Sequence, residues 1–392
     1  MNIAFLFYCP IVPHIGGVQR VTDVLTKEFV KRGHNVIFIC TESRNMDDAY
    51  QNYSATQIYL DSNKNEEEFI ADYCKILHTN DIDVVISQEA QKESLLLLAN
   101  TPICVKRISV VHINPYAIIG NERRIKRAIR SRRLVTNLAK YLVMLFPHIA
   151  RRYYRFKENK FYRRILGVSD KLVFLSPSFV ELLKENIPDI SSRKLAAIGN
   201  PNTFVPKHEV RTKENLIICV ARLSEVPKNV RDFILVWQQL YKYNPMWKAV
   251  IVGDGPDRGL LESFAKKKGV RNLSFVGRVE NVGNYYQRAK FVCMTSIYEG
   301  WGMVLTEGMS YGCVPCVYGS YGAAFDIVDD GVNGIISTPF RPKEMADRIQ
   351  TLINDESRLV QMSSSAIEKV KDFNADKVAD KWDALFEELL YE

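Results

Sequence analysis

The chain has 392 residues, 47% of them apolar, and a formal charge of +8. That length and apolar content suit two domains with sizeable cores and exclude a disordered chain. No run of 18 apolar residues is present, so no spanning helix is expected. The positive charge is local: residues 121–164 hold 15 Lys/Arg against Glu122 and Glu158, a net +13 that leaves −5 for the remainder. The eight cysteines are scattered, mostly in apolar runs, which is the pattern of reduced buried thiols and not of a disulfide framework. Cys313-Val314-Pro315-Cys316 has no second pair and no nearby histidines, so packing is expected there and not zinc.

Ile3–Tyr8 reads as a buried strand, because it lacks a basic leader and its apolar run breaks at Pro10. Pro10–Gly17 is a loop. Val18–Arg32 carries Val21, Val24, Leu25 and Phe29 at helical spacing and stops at Gly33, and Val36–Cys40 is a second strand. Strand, glycine loop, helix, strand opens a parallel sheet covered by helices. Strands are expected at Gln57–Leu60, Val84–Ser87 and Ile103–Val111, with helices near 65–79 and 89–100. Residues 121–164 interrupt this rhythm and read as long helices broken near Pro147. Strand, helix and strand resume at Leu172–Leu175, Phe179–Asn186 and Lys194–Ile198. The polar stretch Asn200–Glu214, with two prolines, is the linker.

A second βα series begins at Leu216–Val220. It alternates helices 229–243, 257–268 and 282–289 with strands 248–252, 273–276, 291–294 and 314–317. Helices 342–354, 357–372 and 375–391 close the chain. The expected fold is α/β, with two Rossmann-like domains at 1–205 and 206–372 and C-terminal helices, 373–392, returning to the first. Two such sheets facing one another take a ligand in the cleft at their carboxyl ends.

Four loops at strand ends carry residues suited to chemistry. Gly16-Gly17 precedes a helix, where backbone N–H groups favour a phosphate. It is not G-x-G-x-x-G, and Glu42 lies two residues past Cys40, so a nicotinamide site has little support. Arg222 and Lys228 follow the strand Leu216–Val220 and suit a diphosphate, a planar fork beside a point charge, although both also suit a solvated surface. Gly253-Asp254-Gly255-Pro256 reads as a tight turn into a helix. Ser296–Gly312 follows the apolar strand Phe291–Met294, with a glycine loop, a helix from about Met303, and Glu299 and Glu307 eight positions apart. Its glycines admit close backbone approach and its helix start offers unpaired N–H groups, yet by spacing alone an ordinary βα turn with two solvated glutamates is the first reading.

Taken in order and spacing, these pieces resemble the nucleotide-sugar domain of a family 4 glycosyltransferase. They are Ala221-Arg222-Leu223 with Lys228-Asn229, Gly253-Asp254-Gly255-Pro256, Phe275-Val276-Gly277, Ser296-x-x-Glu299-Gly300-x-Gly302 with Glu307, and Asp330-Gly331-x-Asn333-Gly334. Residues 215–372 carry the resemblance strongly; the first half matches loosely through Gly16-Gly17, Arg32-Gly33-His34-x-Val36 and His112. Ala324-Phe325-Asp326 departs from the proline and glutamate usual in that family.

The resemblance implies the GT-B fold and a retaining transfer. Attack is then front-face, the leaving phosphate takes the acceptor proton, and no enzymatic nucleophile is required. It implies catalytic roles for Glu299, His112, Arg222 and Lys228. Arg222 and Lys228 would neutralise the diphosphate, Glu299 would hold the transferred sugar, Glu307 the ribose, and Gly16-Gly17 the distal phosphate. The backbone of Gly300, Trp301, Gly302, Met303 and Val304 would bind sugar and phosphate, and the base would lie at Gly277 and Arg278. The nucleotide sugar, of the UDP type, is then a substrate. No cofactor is expected, and no metal, because preplaced cations and helix N-termini stabilise the departing diphosphate.

The basic segment mixes cations with apolar and aromatic residues, a composition suited to an anionic bilayer surface. Arg123, Arg124, Lys126, Arg127, Arg130, Arg132 and Arg133 are its candidate membrane or acceptor contacts. The expected partners are a nucleotide sugar, a lipid-linked or saccharide acceptor and an anionic membrane. No nucleic acid is expected, and the expected location is cytoplasmic, peripheral at the inner face. A sugar phosphorylase or nucleotide-sugar hydrolase of the same fold, and a non-catalytic nucleotide- or nucleic-acid-binding protein, remain alternatives.

Overall fold

A computed structural model describes residues 1–13, 16–41, 54–122, 124–125, 145–206 and 213–391. They divide into two compact units. The first holds Met1–Pro115, Phe156–Thr203 and Asn374–Glu392; the second holds Tyr116–Arg155 and Phe204–Phe373.

The first unit contains β1 (Asn2–Phe7), α1 (Gly17–Lys31), β2 (Asn35–Cys40), β3 (Thr56–Tyr59), α2 (Glu66–Thr79), β4 (Val84–Ser87), α3 (Lys92–Ala99) and β5 (Lys106–Val111). Helix α4 (Pro147–Val168) begins in the second unit and ends in the first, followed by β6 (Lys171–Phe174), α5 (Pro177–Asn186) and β7 (Leu195–Ala197). The seven strands form one sheet, order β3-β2-β1-β4-β5-β6-β7, with every pair parallel. Residues Ile3–Phe7 of β1 are all inaccessible, because helices cover both faces of a parallel sheet.

The second unit contains β8 (Glu214–Val220), α6 (Glu225–Lys228), α7 (Val230–Leu240), β9 (Lys248–Val252), α8 (Arg258–Lys267), β10 (Leu273–Gly277) and α9 (Gly283–Arg288). It continues through β11 (Ala289–Met294), α10 (Met303–Met309), β12 (Val314–Tyr318), α11 (Ala323–Ile327), β13 (Ile335–Ser337), α12 (Pro342–Ile353) and α13 (Glu356–Val370). Its six parallel strands run β10-β9-β8-β11-β12-β13. The core packs Phe233 and Trp237 of α7 against Ile251, Phe291 and Val314. In both sheets the strand order reverses beside the first strand, at β1/β4 and at β8/β11. Loops leaving a parallel sheet at such a point diverge and leave room for a ligand.

The final helix, α14 (Ala375–Tyr391), belongs to the first unit. Phe29 of α1 meets Trp382 and Phe386 edge-on at 6.5 and 5.6 Å, and Arg32 and His34 both reach Asp383, at 2.7 and 3.2 Å.

Three departures from the sequence reading have physical reasons. Strand β5 starts at Lys106 and not at Ile103, which lies 95% exposed in a turn closed by Val105 N–H donating to the Pro102 carbonyl. Pro147 opens helix α4, a position where its missing N–H costs nothing. The segment 121–164, expected within the first domain, divides: Tyr116–Arg155 groups with the second unit and Phe156–Thr203 with the first. Arg124 fixes its stretch by stacking 3.4 Å over the Phe340 ring. Among the described residues no helix is long and apolar enough to cross a membrane.

Candidate functional site

The loops after β8 and β11 meet at the second unit's switch point. After β8 the chain makes three backbone bonds to its neighbour. Ala221 N–H donates to Val252 O (3.0 Å), Leu223 N–H to Asp254 O (2.9 Å), and Asp257 N–H to Leu223 O (3.0 Å). This contact explains Gly253 and Gly255. A Cβ on Gly253, at φ 131°, would stand 1.9 Å from the Ala221 oxygen, and one on Gly255 would stand 2.4 Å from the Leu223 oxygen. The Gly253-Asp254-Gly255 turn is therefore a cradle for the Arg222 loop as well as a lead into α8. Buried Leu223 anchors that loop, and Arg222 beside it is exposed, with no ion pair among the described residues.

Short α6 then carries Lys228 back over the sheet. Asn229 follows in the left-handed conformation, φ 46°, which asparagine tolerates. It is pinned from both sides: its Nδ2 donates to Thr295 O (3.1 Å), and Thr295 Oγ1 donates to Asn229 O (3.0 Å). The β11 loop is tied in by Ile297 N–H donating to Pro227 O at 2.7 Å. Lys228 Nζ consequently reaches Glu299 Oε1 at 2.6 Å, and Ser296 Oγ donates to the same oxygen at 2.6 Å. Glu299 is 13% exposed and Lys228 27%, so the pair is held in place and still open to solvent.

Beyond Glu299 the chain turns through Gly300, Trp301 and Gly302. The Trp301 ring is buried edge-on against Phe373, 5.3 Å between centroids, so what this residue offers a ligand is its backbone. Gly302 has φ 105°, and a Cβ there would meet Tyr321 Oη at 2.6 Å. Helix α10 starts at Met303 with no side-chain cap among the described residues, leaving the N–H groups at Met303 and Val304 without intrahelical partners. One turn later lies Glu307, 4% exposed, whose Oε2 accepts from buried Tyr286 Oη at 2.9 Å. Gly277, at φ 74°, accepts from Gly253 N–H (2.8 Å), and Arg278 next to it is exposed.

The remaining candidates belong to the first unit or to the basic segment. Gly16 and Gly17 stand at the start of α1, with no atom within 4 Å of a Cβ on Gly16. His112 follows β5, and its Nε2 lies 2.5 Å from Gln88 Oε1. The amide oxygen accepts, so Nε2 carries the proton and Nδ1 presents a lone pair; Nδ1 is buried without a partner among the described residues. Burial lowers the ring's pKa to about 4, so it is a neutral group near pH 7. Arg124 is the described member of the proposed membrane set. Arg123, Lys126, Arg127, Arg130, Arg132 and Arg133 lie outside the described residues. Among the described residues no cluster of His, Cys, Asp and Glu could hold a metal ion.

Comparison with known proteins agrees with this architecture. Residues 15–201 match the family described as Glycosyltransferase Family 4, and residues 202–369 match Glycosyl transferases group 1, the two together spanning most of the chain. The chain is a family 4 glycosyltransferase. It is 24% identical to an uncharacterized glycosyltransferase of Haemophilus influenzae, over 96% of this chain and 98% of that one. It is 31% identical to a Campylobacter jejuni enzyme over 45% of this chain and 49% of that one. That enzyme is named GalNAc-alpha-(1->4)-GalNAc-alpha-(1->3)-diNAcBac-PP-undecaprenol alpha-1,4-N-acetyl-D-galactosaminyltransferase. Among solved structures, HepE of Anabaena in complex with UDP superposes with a TM-score of 0.75, at 15% identity, over 99% of this chain and all of that one. The likeness shows the fold, two Rossmann-like α/β units of the GT-B type.

In this glycosyltransferase Arg222, Lys228, Glu299 and Glu307 all follow the central strands β8 and β11, and the sequence reading names them but not the role of three neighbours. Tyr286, on the short helix α9, orients Glu307; nothing in its local pattern points there. Ser296 was visible only as a motif residue, and its hydroxyl helps fix Glu299. Tyr321 is 4% exposed beside Gly302, its Oη without a partner among the described residues. Burial first, then the carboxylates of Glu299 and Asp326, push its pKa well up, so it stays a neutral hydroxyl.

Proposed function

We propose that this glycosyltransferase moves a sugar from a nucleotide diphosphate, of the UDP type, to a lipid-linked or saccharide acceptor in surface polysaccharide assembly. The anomeric configuration is retained. The observation that carries this reading is the Lys228–Glu299–Ser296 cluster, beside exposed Arg222 and the uncapped start of α10. Breaking a glycosyl–phosphate bond develops positive charge on the sugar and negative charge on the diphosphate. Arg222, Lys228 and the α10 N–H groups answer the second charge, and Glu299 answers the first through the sugar hydroxyls. Glu307 accepts from the ribose. Cations and amides preplaced in this way do the work of a divalent ion, so the reaction runs without metal. The names of two similar proteins support donor and acceptor classes: one binds UDP, the other acts on an undecaprenol-linked glycan. A membrane-carried acceptor implies an enzyme peripheral to the cytoplasmic face.

The test is release of nucleotide from a panel of nucleotide sugars with a membrane extract as acceptor. Lys228→Ala and Glu299→Gln are each expected to lower kcat by about 100-fold or more, the scale of losing one preorganised electrostatic contact, with unchanged unfolding midpoints. Wild-type turnover in both variants sinks the assignment. Sugar 1-phosphate formed with phosphate as acceptor, or free sugar formed with water at the full rate, replaces it by a phosphorylase or a hydrolase.

A further inference from the structure

Lys213 stands just before β8, at the amino edge of the second unit's sheet, whereas the loops of the site leave the carboxyl edge. Its ammonium is turned inward. Nζ donates to Tyr286 O (3.0 Å) in the last turn of α9 and to Ala289 O (2.6 Å) at the first residue of β11. Burial lowers its pKa from the ordinary lysine value, and Cys313 Sγ, 3.7 Å away, partly opposes that shift. Cys313 is inaccessible, and its Sγ lies 3.1 and 3.2 Å from the same two carbonyls. Withdrawing an ammonium from water is costly, and an apolar side chain of similar length would avoid the cost. What the charge accomplishes is to tie down the end of α9.

That helix has six residues, too few to stand without tertiary support. Its Tyr286 is inaccessible and held on every side: Lys213 grips its carbonyl, Phe204 meets its ring edge-on at 6.2 Å, and Tyr311 stacks on it at 6.0 Å. The one polar group on this ring, Oη, donates to Glu307 Oε2 at 2.9 Å. A cation at the end of α9 also complements the helix dipole. We propose that Lys213 is a positioning residue for nucleotide recognition: by fixing the end of α9 it fixes the Tyr286 hydroxyl, and through it the angle at which Glu307 presents its carboxylate to the ribose hydroxyls. The ligand rests on the reading of Glu307 as the ribose contact; the route rests on the hydrogen bonds alone. Because Lys213 acts from the opposite edge of the sheet, its loss weakens recognition of the ribose and spares the bond-breaking step.

The experiment is calorimetric titration of the full-length enzyme with UDP and with 2′,3′-dideoxy-UDP, which lacks the hydroxyls in question. The wild type is expected to prefer UDP by about tenfold or more, the scale of hydrogen bonds to a charged group. Glu307→Gln, Tyr286→Phe and Lys213→Met are each expected to lose most of that preference, with affinity for the dideoxy nucleotide within about twofold of the wild type. Lys213→Met combined with Glu307→Gln should cost no more than Glu307→Gln alone, because both act on one contact; additive losses overturn the proposal. In turnover, Lys213→Met is expected to raise KM for the nucleotide sugar about tenfold with kcat nearly unchanged, and a fall in kcat at constant KM overturns it. A merely structural lysine would lower the unfolding midpoint and leave the preference for UDP intact, which also overturns it. If Lys213→Met does not fold, Lys213→Gln, which keeps a neutral donor, decides on the same measurements. A wild type indifferent to the ribose hydroxyls removes the ribose reading and leaves the route to a crystal structure of the Lys213 variant. There a displaced Tyr286–Glu307 bond sustains the route, and one unchanged at 2.9 Å overturns it.

Discussion

His112 shows how a single side chain carries its surroundings into a measurable quantity. An unperturbed histidine has a pKa near 6.5, whereas here burial lowers it to about 4. Between those values the unfolded chain holds a proton that the folded chain refuses. Stability is therefore intact above about pH 6.5 and falls as pH drops toward 4, by up to about 1.4 kcal/mol per pH unit for one group. Urea midpoints at pH 7 and pH 5 should separate more widely for the wild type than for His112→Gln, which cannot titrate. Equal separations would place the acid sensitivity elsewhere. The same neutrality limits what His112 can do in chemistry near pH 7: the ring offers the Nδ1 lone pair and no charge. Tyr321 is a parallel case, a neutral hydroxyl kept beside two carboxylates by burial.

At the scale of elements, the second unit's site is a product of strand ends. Loop 221–229 is shaped by the loop after β9, and the bond between them runs backbone to backbone. A methyl group on Gly253 meets a carbonyl oxygen at 1.9 Å and demands a φ of 131° from an L-residue. Gly253→Ala is accordingly expected to cost about 3 kcal/mol, more than ordinary overpacking, because neither backbone can give way. It should also lower turnover through displacement of Arg222. A denaturation midpoint within error of the wild type would show that the two loops can part. From sequence this turn reads as a lead into a helix, since a pattern of glycines records that space is needed and not what fills it. The strands and helices themselves were legible, because apolar runs and helical spacing record burial directly. Their exceptions are local, as at Ile103, where a turn closed by a backbone bond outweighs an apolar residue.

For the whole molecule, the sites lie on two compact units built on one plan, each with its loops at the reversal of strand order. A ligand that binds the folded form alone stabilises it by mass action. UDP at 100 times its Kd should add about 2.7 kcal/mol to the unfolding free energy. EDTA should alter neither that gain nor the transfer rate if amides and cations replace a metal at the diphosphate. A UDP-induced shift that vanishes with EDTA would argue for a divalent ion. Charge is also distributed at this scale, with +13 gathered in residues 121–164 and −5 over the rest.

The α/β class and the order of elements were legible in the sequence alone, as was the placing of Arg222, Lys228, Glu299 and Glu307 after the strands β8 and β11. Periodicity and turn chemistry are local, and the motif spacing follows the strand ends. Tertiary structure decided what depends on residues far apart in the chain. It joined Lys228 to Glu299 across 71 positions and set Tyr286 on Glu307. It turned Tyr321 toward Gly302, bound Arg124 to Phe340, and divided the basic segment between two units. It also separated the buried side of α4 from the exposed one. Composition gives a helix its cations and aromatics, but only packing chooses which of them face water.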